Sequence, residues 1–148
     1  MKITESTVTK LIITELERLD PISIFLEDLQ PGQGKLTVEC YGQSWSSSWG
    51  AMSDRNISEF LLSCNNDYII GKISTVNRMI VDYDEISKQI GHEVNEHSLM
   101  LSEKEMFEMY GDDWRCFLPR MDNCQWDYLN RIVNAIKEAI AERATSKD

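Results

Sequence analysis

Pro21-Ile22-Ser23-Ile24-Phe25-Leu26-Glu27-Asp28-Leu29-Gln30-Pro31-Gly32-Gln33-Gly34-Lys35-Leu36-Thr37-Val38-Glu39-Cys40-Tyr41 is the stretch whose reading decides the fold. Ile22 to Glu27 alternates apolar and polar residues, which puts Ile22, Ile24 and Leu26 on one face of a strand. Lys35 to Tyr41 does the same, with Leu36, Val38 and Cys40 set against Thr37, Glu39 and Tyr41. Between them stands Pro31-Gly32-Gln33-Gly34, where proline presets φ and glycine supplies the positive φ of a tight turn. Two alternating runs around such a turn predict an antiparallel hairpin.

Working outward, Thr7 to Glu15 reads as an earlier strand. Val8, Ile12 and Thr14 share one of its faces, and Leu11 and Ile13 are divided between the faces. Leu19-Asp20-Pro21 breaks it, because proline disfavours continuation. Gly42 to Gly50, rich in serine with two tryptophans, suits either a fourth strand or an irregular return. Beyond it the period becomes helical. Ser53 or Asp54 can cap a helix over 56–64 with Ile57, Phe60, Leu61 and Cys64 on its stripe. Tyr68, Ile69 and Ile73 form a second apolar segment. Val76 to Gln89 reads as a helix with Ile80, Tyr83 and Ile86 in its stripe. Ser102-Glu103-Lys104-Glu105 has capping-box spacing and opens a helix with Met106, Phe107 and Tyr110, which Gly111 ends. Asp122 or Asn123 caps a last helix whose apolar face is Trp126, Leu129, Ile132, Val133, Ile136 and Ile140. The tail, 144–148, is expected to fray.

Strands first and helices after predict an α+β fold. A three- to four-stranded antiparallel N-terminal meander is followed by about four helices, and the last helix packs on the sheet. The 148 residues are expected to form one domain, with the meander over 7–50 and the helical part over 54–145. A chain of this length buries roughly 70% of its unfolded surface, enough for a core without disulfides or metal.

Twenty-five acids against fifteen bases give a net charge of −10. That balance argues against direct nucleic-acid binding, which needs clustered Lys and Arg to replace phosphate counterions, and against an anionic membrane surface. No apolar run approaches the roughly 20 residues of a membrane span. The start, Met-Lys-Ile-Thr-Glu-Ser, has no apolar signal core. A cytoplasmic protein is therefore expected, with its cysteines, Cys40, Cys64, Cys116 and Cys124, as reduced thiols.

Several motifs match in part and fail on spacing. Gly32-Gln33-Gly34-Lys35 lacks the earlier glycine of a phosphate-binding loop (Leu29 stands there), lacks Ser or Thr after the lysine, and precedes a strand rather than a helix. His92 and His97 are five apart, about 140° around a helix, where a zinc protease needs four. Ser48 has Ser46 where a nucleophile elbow needs glycine. No base stands near Cys40 or Cys64 to activate a thiol nucleophile. No catalytic residue, metal ligand or cofactor is assigned.

Two features remain. Tyr41, Trp45 and Trp49 are spaced by four and share a face of a strand. They form either a core stripe under the last helix, the reading preferred here, or an aromatic binding face. The second feature is acidic. Asp82, Asp84, Glu85, Glu93, Glu96, Glu103, Glu105, Glu108, Asp112 and Asp113 face only two bases, Lys88 and Lys104, so 82–113 carries −8 of the chain's −10. The ordinary reading is a solvated helical face. The sharper one is a surface for a basic partner, imitating the phosphates of DNA and weakened by salt.

Leu19-Asp20-Pro21, Leu26-Glu27-Asp28, Pro31-Gly32-Gln33-Gly34, Cys40-Tyr41-Gly42, Trp45, Trp49-Gly50, Met52, Phe60, Cys64 and Tyr68 together resemble a family of small tailed-phage and prophage proteins of enterobacteria. The likeness runs from Thr7 to Ile73 and, more weakly, along the last helix from Trp126. It implies an accessory protein made inside the host cell and brings no catalytic residues with it. The leading expectation is a non-enzymatic protein that binds, and inhibits, a nucleic-acid-handling host or defence protein through its acidic surface. The alternatives are a small enzyme or ligand binder with a pocket near Trp45, Trp49 and Cys64, and a homo-oligomer paired edge to edge through the third or fourth strand.

Overall fold

The computed structural model describes residues 1–146. The expected hairpin forms. β2 (Ile22–Gln30) pairs antiparallel with β3 (Gln33–Cys40), Ile24 opposite Val38 and Leu26 opposite Leu36. β1 (Thr9–Ile13) joins the outer side of β2, and β4 (Gln43–Trp49) the outer side of β3, giving the order β1-β2-β3-β4. The serine-rich segment is thus a fourth strand, and β3 is an interior strand. Edge-to-edge pairing through the third strand is therefore closed, because β2 and β4 already take its hydrogen bonds. Leu11 and Ile13 both point to the core face, opposite Ile24 and Ile22, since residues two apart share a face; Ile12 points away and is exposed.

The turn between β2 and β3 is Pro31-Gly32, with Gln30 paired to Gln33. Gly32 has φ of +75°, and its carbonyl accepts from the Met52 amide at 2.8 Å. A side chain there would meet the Ser53 carbonyl oxygen at 2.5 Å, so both backbone conformation and space require glycine. The β3–β4 turn is Tyr41-Gly42, with φ of +49° and +75°, the left-handed pair of a tight hairpin turn.

Helices α1 (Ile57–Ser63) and α2 (Asn66–Ile73) follow β4. Their caps are asparagines, not Ser53 or Asp54: Asn56 accepts from the Glu59 amide and Asn65 from the Tyr68 amide, each at 2.8 Å. Ser53 instead sits at φ of +59°, inside the loop that meets Gly32. Asp28 of β2 accepts from the Ile57 amide at 2.8 Å and fixes the start of α1.

The last helix, α6 (Cys124–Ser146), buries Trp126, Leu129, Ile132, Val133, Ala135, Ile136 and Ile140. These pack in one core with Ile22, Ile24, Leu36, Val38, Ile57 and Ile70, so α6 packs on the sheet and the fold is α+β. The ring of Tyr128 meets Trp45 at 6.3 Å, and its hydroxyl donates to the Cys40 thiol at 3.3 Å. Burial, with that bond, pushes the Tyr128 hydroxyl up to about 12. The helix remains regular through Ser146, beyond the start of the predicted fraying; residues 147 and 148 of that tail lie outside the described residues.

The contacts divide into two compact units, 1–76 with 125–148, and 77–124. The second departs most from the sequence reading. Val76 to Gln89 is not one helix. Met79–Val81 is a short strand, β5, paired with β6 (Arg120–Asp122), and α3 (Tyr83–Ile90) starts only after it. A 3-10 turn at Leu99–Ser102, α4 (Glu103–Tyr110) and α5 (Trp114–Phe117) complete it, so the described residues hold six helices. Ser102 stands at the start of α4 without capping it; its hydroxyl donates to the Ser98 carbonyl at 3.2 Å. Gly111 ends α4 as predicted, at φ of +86°.

The second unit has its own core of Ile86, Val94, Met106, Trp114 and Leu118. It closes at its base, where Asn123 bonds to the Arg78 and Asn77 carbonyls, both at 2.9 Å.

Two expectations follow for stability. Gly32→Ala should cost roughly 2 kcal/mol, read from a denaturant midpoint, while Gly50→Ala, with nothing within 4 Å, should stay near wild type. Replacing 78–122 by a short Gly-Ser link should leave the sheet and α6 folded, with one cooperative thermal transition and the slow amide exchange of β2 and β3 intact.

Candidate functional site

The acidic side chains lie on a small scaffold with ordinary local causes. Asp82 caps α3, accepting from the Glu85 amide at 2.9 Å, and its own amide donates to the Pro119 carbonyl at 2.8 Å. Asp84 and Glu85 occupy the first turn of α3 and Lys88 the last, as the helix dipole favours. Gly91 ends the helix at φ of +85°. The return loop is clamped by Ser87, whose hydroxyl donates to the Tyr83 carbonyl and accepts from the Val94 amide. Asn95 then accepts from the amides of His97 and Ser98, both at 3.0 Å, and sets up the 3-10 turn that leads into α4.

All ten predicted acids, Asp82 to Asp113, therefore fall in the 77–124 unit. Seven are exposed, and Asp82, Glu85 and Glu105 are half-buried. Folding adds Asp122 and three bases to the unit: Arg78, Arg115 and Arg120. Eleven acids and five bases leave a net −6 on 48 residues. Arg115 lies 4.2 Å from the Trp114 ring centroid and 3.7 Å from Glu103. Glu85 accepts from the Gln89 amide group at 3.1 Å, and Glu105 meets His92 Nε2 at 2.5 Å. Asp84, Glu93, Glu96, Glu108, Asp112 and Asp113 form no ion pair among the described residues.

Apolar side chains stand exposed in the same unit. Leu101 is 89% and Met100 65% exposed in the 3-10 turn, and Phe107, Met109 and Phe117 are exposed on α4 and α5. Sequence periodicity misses this group, because Phe107 reads as a stripe residue beside Met106 and Tyr110. On α4 Met106 is the buried one; Phe107 is turned one residue, or about 100°, away.

The aromatic residues separate. Trp45 and Trp49 point to the core face of β4. Trp49 lies 5.6 Å from Phe60 and donates from Nε1 to the Tyr68 hydroxyl at 3.1 Å. Their rings are engaged in packing with α1, α2 and α6. Cys64, half-buried, adjoins the same core, and its carbonyl accepts from Lys137. Tyr41 does not share their environment: it sits in the β3–β4 turn and is 80% exposed. The spacing of four does not place it in the core because the strand ends at Cys40 and the chain reverses.

His92 and His97 lie in the loop after α3, and Glu105 engages His92. Among the described residues, no three His, Cys, Asp or Glu side chains converge as metal ligands. Among the same residues, no helix is long and apolar enough to cross a membrane.

The molecule is thus an α+β protein whose sheet-and-helix unit is interrupted, between α2 and α6 in the chain, by an acidic helical unit. The chain belongs to a phage protein family: the family model Phage_phiTE_072, described as a phage family, matches residues 1–142. The match takes in the segment from Ser74 to Asp113, beyond the reach of the resemblance read from Thr7 to Ile73. No curated protein and no solved structure matches the chain.

The Glu105 carboxylate, followed by the Glu93 carbonyl, holds the His92 pKa above its ordinary 6.5. A raised histidine stabilises the fold below 6.5 and loses that contribution as pH rises through its folded value. An NMR titration should find His92 above 6.5, and Glu105→Gln should bring it back toward 6.5.

Proposed function

We propose that this phage-family protein is a non-enzymatic accessory protein that binds a basic, nucleic-acid-handling host or defence protein through the acidic face of its 77–124 unit. The observation that supports the reading is a combination on one small unit: six carboxylates without ion pairs among the described residues, and large exposed apolar side chains. Carboxylates kept only for solvation need no apolar neighbours. A protein interface needs both, charge to steer and orient the partner and apolar area to hold it. A surface of this kind competes with DNA or RNA for a basic groove, which is inhibition by phosphate mimicry. It acts inside the infected cell, where such partners are found.

Protein binding is favoured over the ligand-pocket alternative by the packing of Trp45 and Trp49 against Tyr128, Phe60 and Tyr68, which takes up the rings that reading needs. Self-association remains available at β1 and β4, the two edges of the sheet.

The test is affinity capture from an enterobacterial lysate, the host the sequence resemblance implies, with stepwise salt elution and mass spectrometry. A nucleic-acid-handling protein released by moderate salt is the expected result. Reversal of Asp84, Glu108, Asp112 and Asp113 to Lys breaks no ion pair among the described residues, so it should abolish capture and leave the circular dichroism unchanged. Capture that survives both salt and reversal overturns the reading.

A further inference from the structure

The reading of an acidic docking face says nothing of how a partner is gripped. Between α3 and α4 lies a groove of about 270 Å³ lined by Gln89, Ile90, Glu105, Glu108 and Met109. Its construction is specific. Ile90 comes from the last turn of α3, and Met109 from the flank of α4 beside the buried stripe. Together they make an apolar floor, Ile90 half-buried and Met109 46% exposed. Glu105 and Glu108, three apart and so on one side of α4, line the same groove and bring two carboxylates to it. Gln89 donates to Glu85 and accepts from the Tyr110 hydroxyl. One oxygen of Glu105 faces His92, while Glu108 forms no ion pair among the described residues.

We propose that this groove takes a single arginine side chain of the partner, the methylene stem lying on Ile90 and Met109 and the guanidinium held between Glu105 and Glu108. This inference rests on the acidic-face reading and deepens it. Charge complementarity selects the occupant: an apolar side chain would cover the Glu108 carboxylate, which has no ion pair among the described residues, and give it no partner, and an acidic one would meet like charge. An apolar floor with two carboxylates in the same groove suits a group that is apolar along its length and cationic at its tip. The guanidinium is planar, weakly hydrated and forked, so it can lie against a methionine and bond two carboxylates at once. A lysine ammonium is a compact, strongly hydrated point charge. Among the described residues, His92 is the cation within ion-pair distance of Glu105. Its protonation places a competing charge on Glu105, so occupancy should fall as His92 becomes charged.

The test uses the full chain with labelled isoleucine and methionine methyls, titrated at low ionic strength with the capped peptide Ala-Arg-Ala and with its citrulline counterpart, which keeps the shape and lacks the charge. The expected result is a saturable shift of the Ile90 and Met109 methyls that exceeds the shifts of Ile80 and Met100. It should be absent with citrulline, and binding should be roughly fivefold weaker in Glu108→Gln. Shifts spread over the unit with Ile90 and Met109 unmoved would overturn the groove while leaving the acidic face as a binding surface. No response anywhere to the charged peptide, together with failed capture from lysate, would overturn both. Methyl shifts that follow protein concentration without peptide would identify a second copy of the chain as the occupant and overturn the arginine assignment.

Discussion

One backbone hydrogen bond, from the Met52 amide to the Gly32 carbonyl, ties the loop after β4 to the turn of the central hairpin. Much of the first unit depends on it. The turn sets the register of β2 on β3, and a slip of one residue would turn Ile22, Ile24 and Leu26 out toward solvent. The same contact brings the chain after β4 back over the end of the hairpin, where Asp28 receives the first amide of α1. From there α1 and α2 lie on the core, and α6 covers the rest of it. A glycine with positive φ and no side chain thus joins the local geometry of a turn to the packing of three helices.

The second unit is arranged differently. Its core is small, five buried apolar residues, and its helices are short. Local devices carry much of the order: Asp82 on α3, Ser87 on the return loop, Asn95 at the 3-10 turn, and the β5–β6 pair at the base. A unit this small has much surface for its volume. That surface is where most of the chain's net negative charge and several of its large exposed apolar side chains are found. The placement separates tasks. The sheet and α6 supply a large core, and the acidic unit presents a surface that the large core does not require.

Legibility followed the range of the interactions. The strands with strict alternation and a decisive turn, Ile22 to Tyr41, could be read because each signal is local. So could α6, whose apolar face repeats over 23 residues. β5 could not, because Met79-Ile80-Val81 is strand only by pairing with residues 120–122, some forty positions away. The caps of α1 and α4 escape a sequence reading because Ser and Asp also serve in turns and back-bonding: Ser53 takes a left-handed turn position and Ser102 bonds Ser98. For the candidate site, the acids were visible as a charge run. The groove was not, since Ile90 and Met109 are nineteen residues apart and belong to different helices.

By itself, then, the sequence determined the α+β order, the hairpin and its turn, the apolar face of the last helix and the position of the negative charge. These depend on side-chain period, on the φ that Pro and Gly permit, and on composition, all of which are properties of neighbours along the chain. Only the tertiary structure decided that Trp45 and Trp49 turn inward while Tyr41 stands in solvent, that residues 77–124 form a unit with its own core, and that Glu105 and Glu108 line one groove with Ile90 and Met109. Those outcomes depend on which distant segments meet. Burial and pairing between such segments are collective, and no single stretch of sequence contains them.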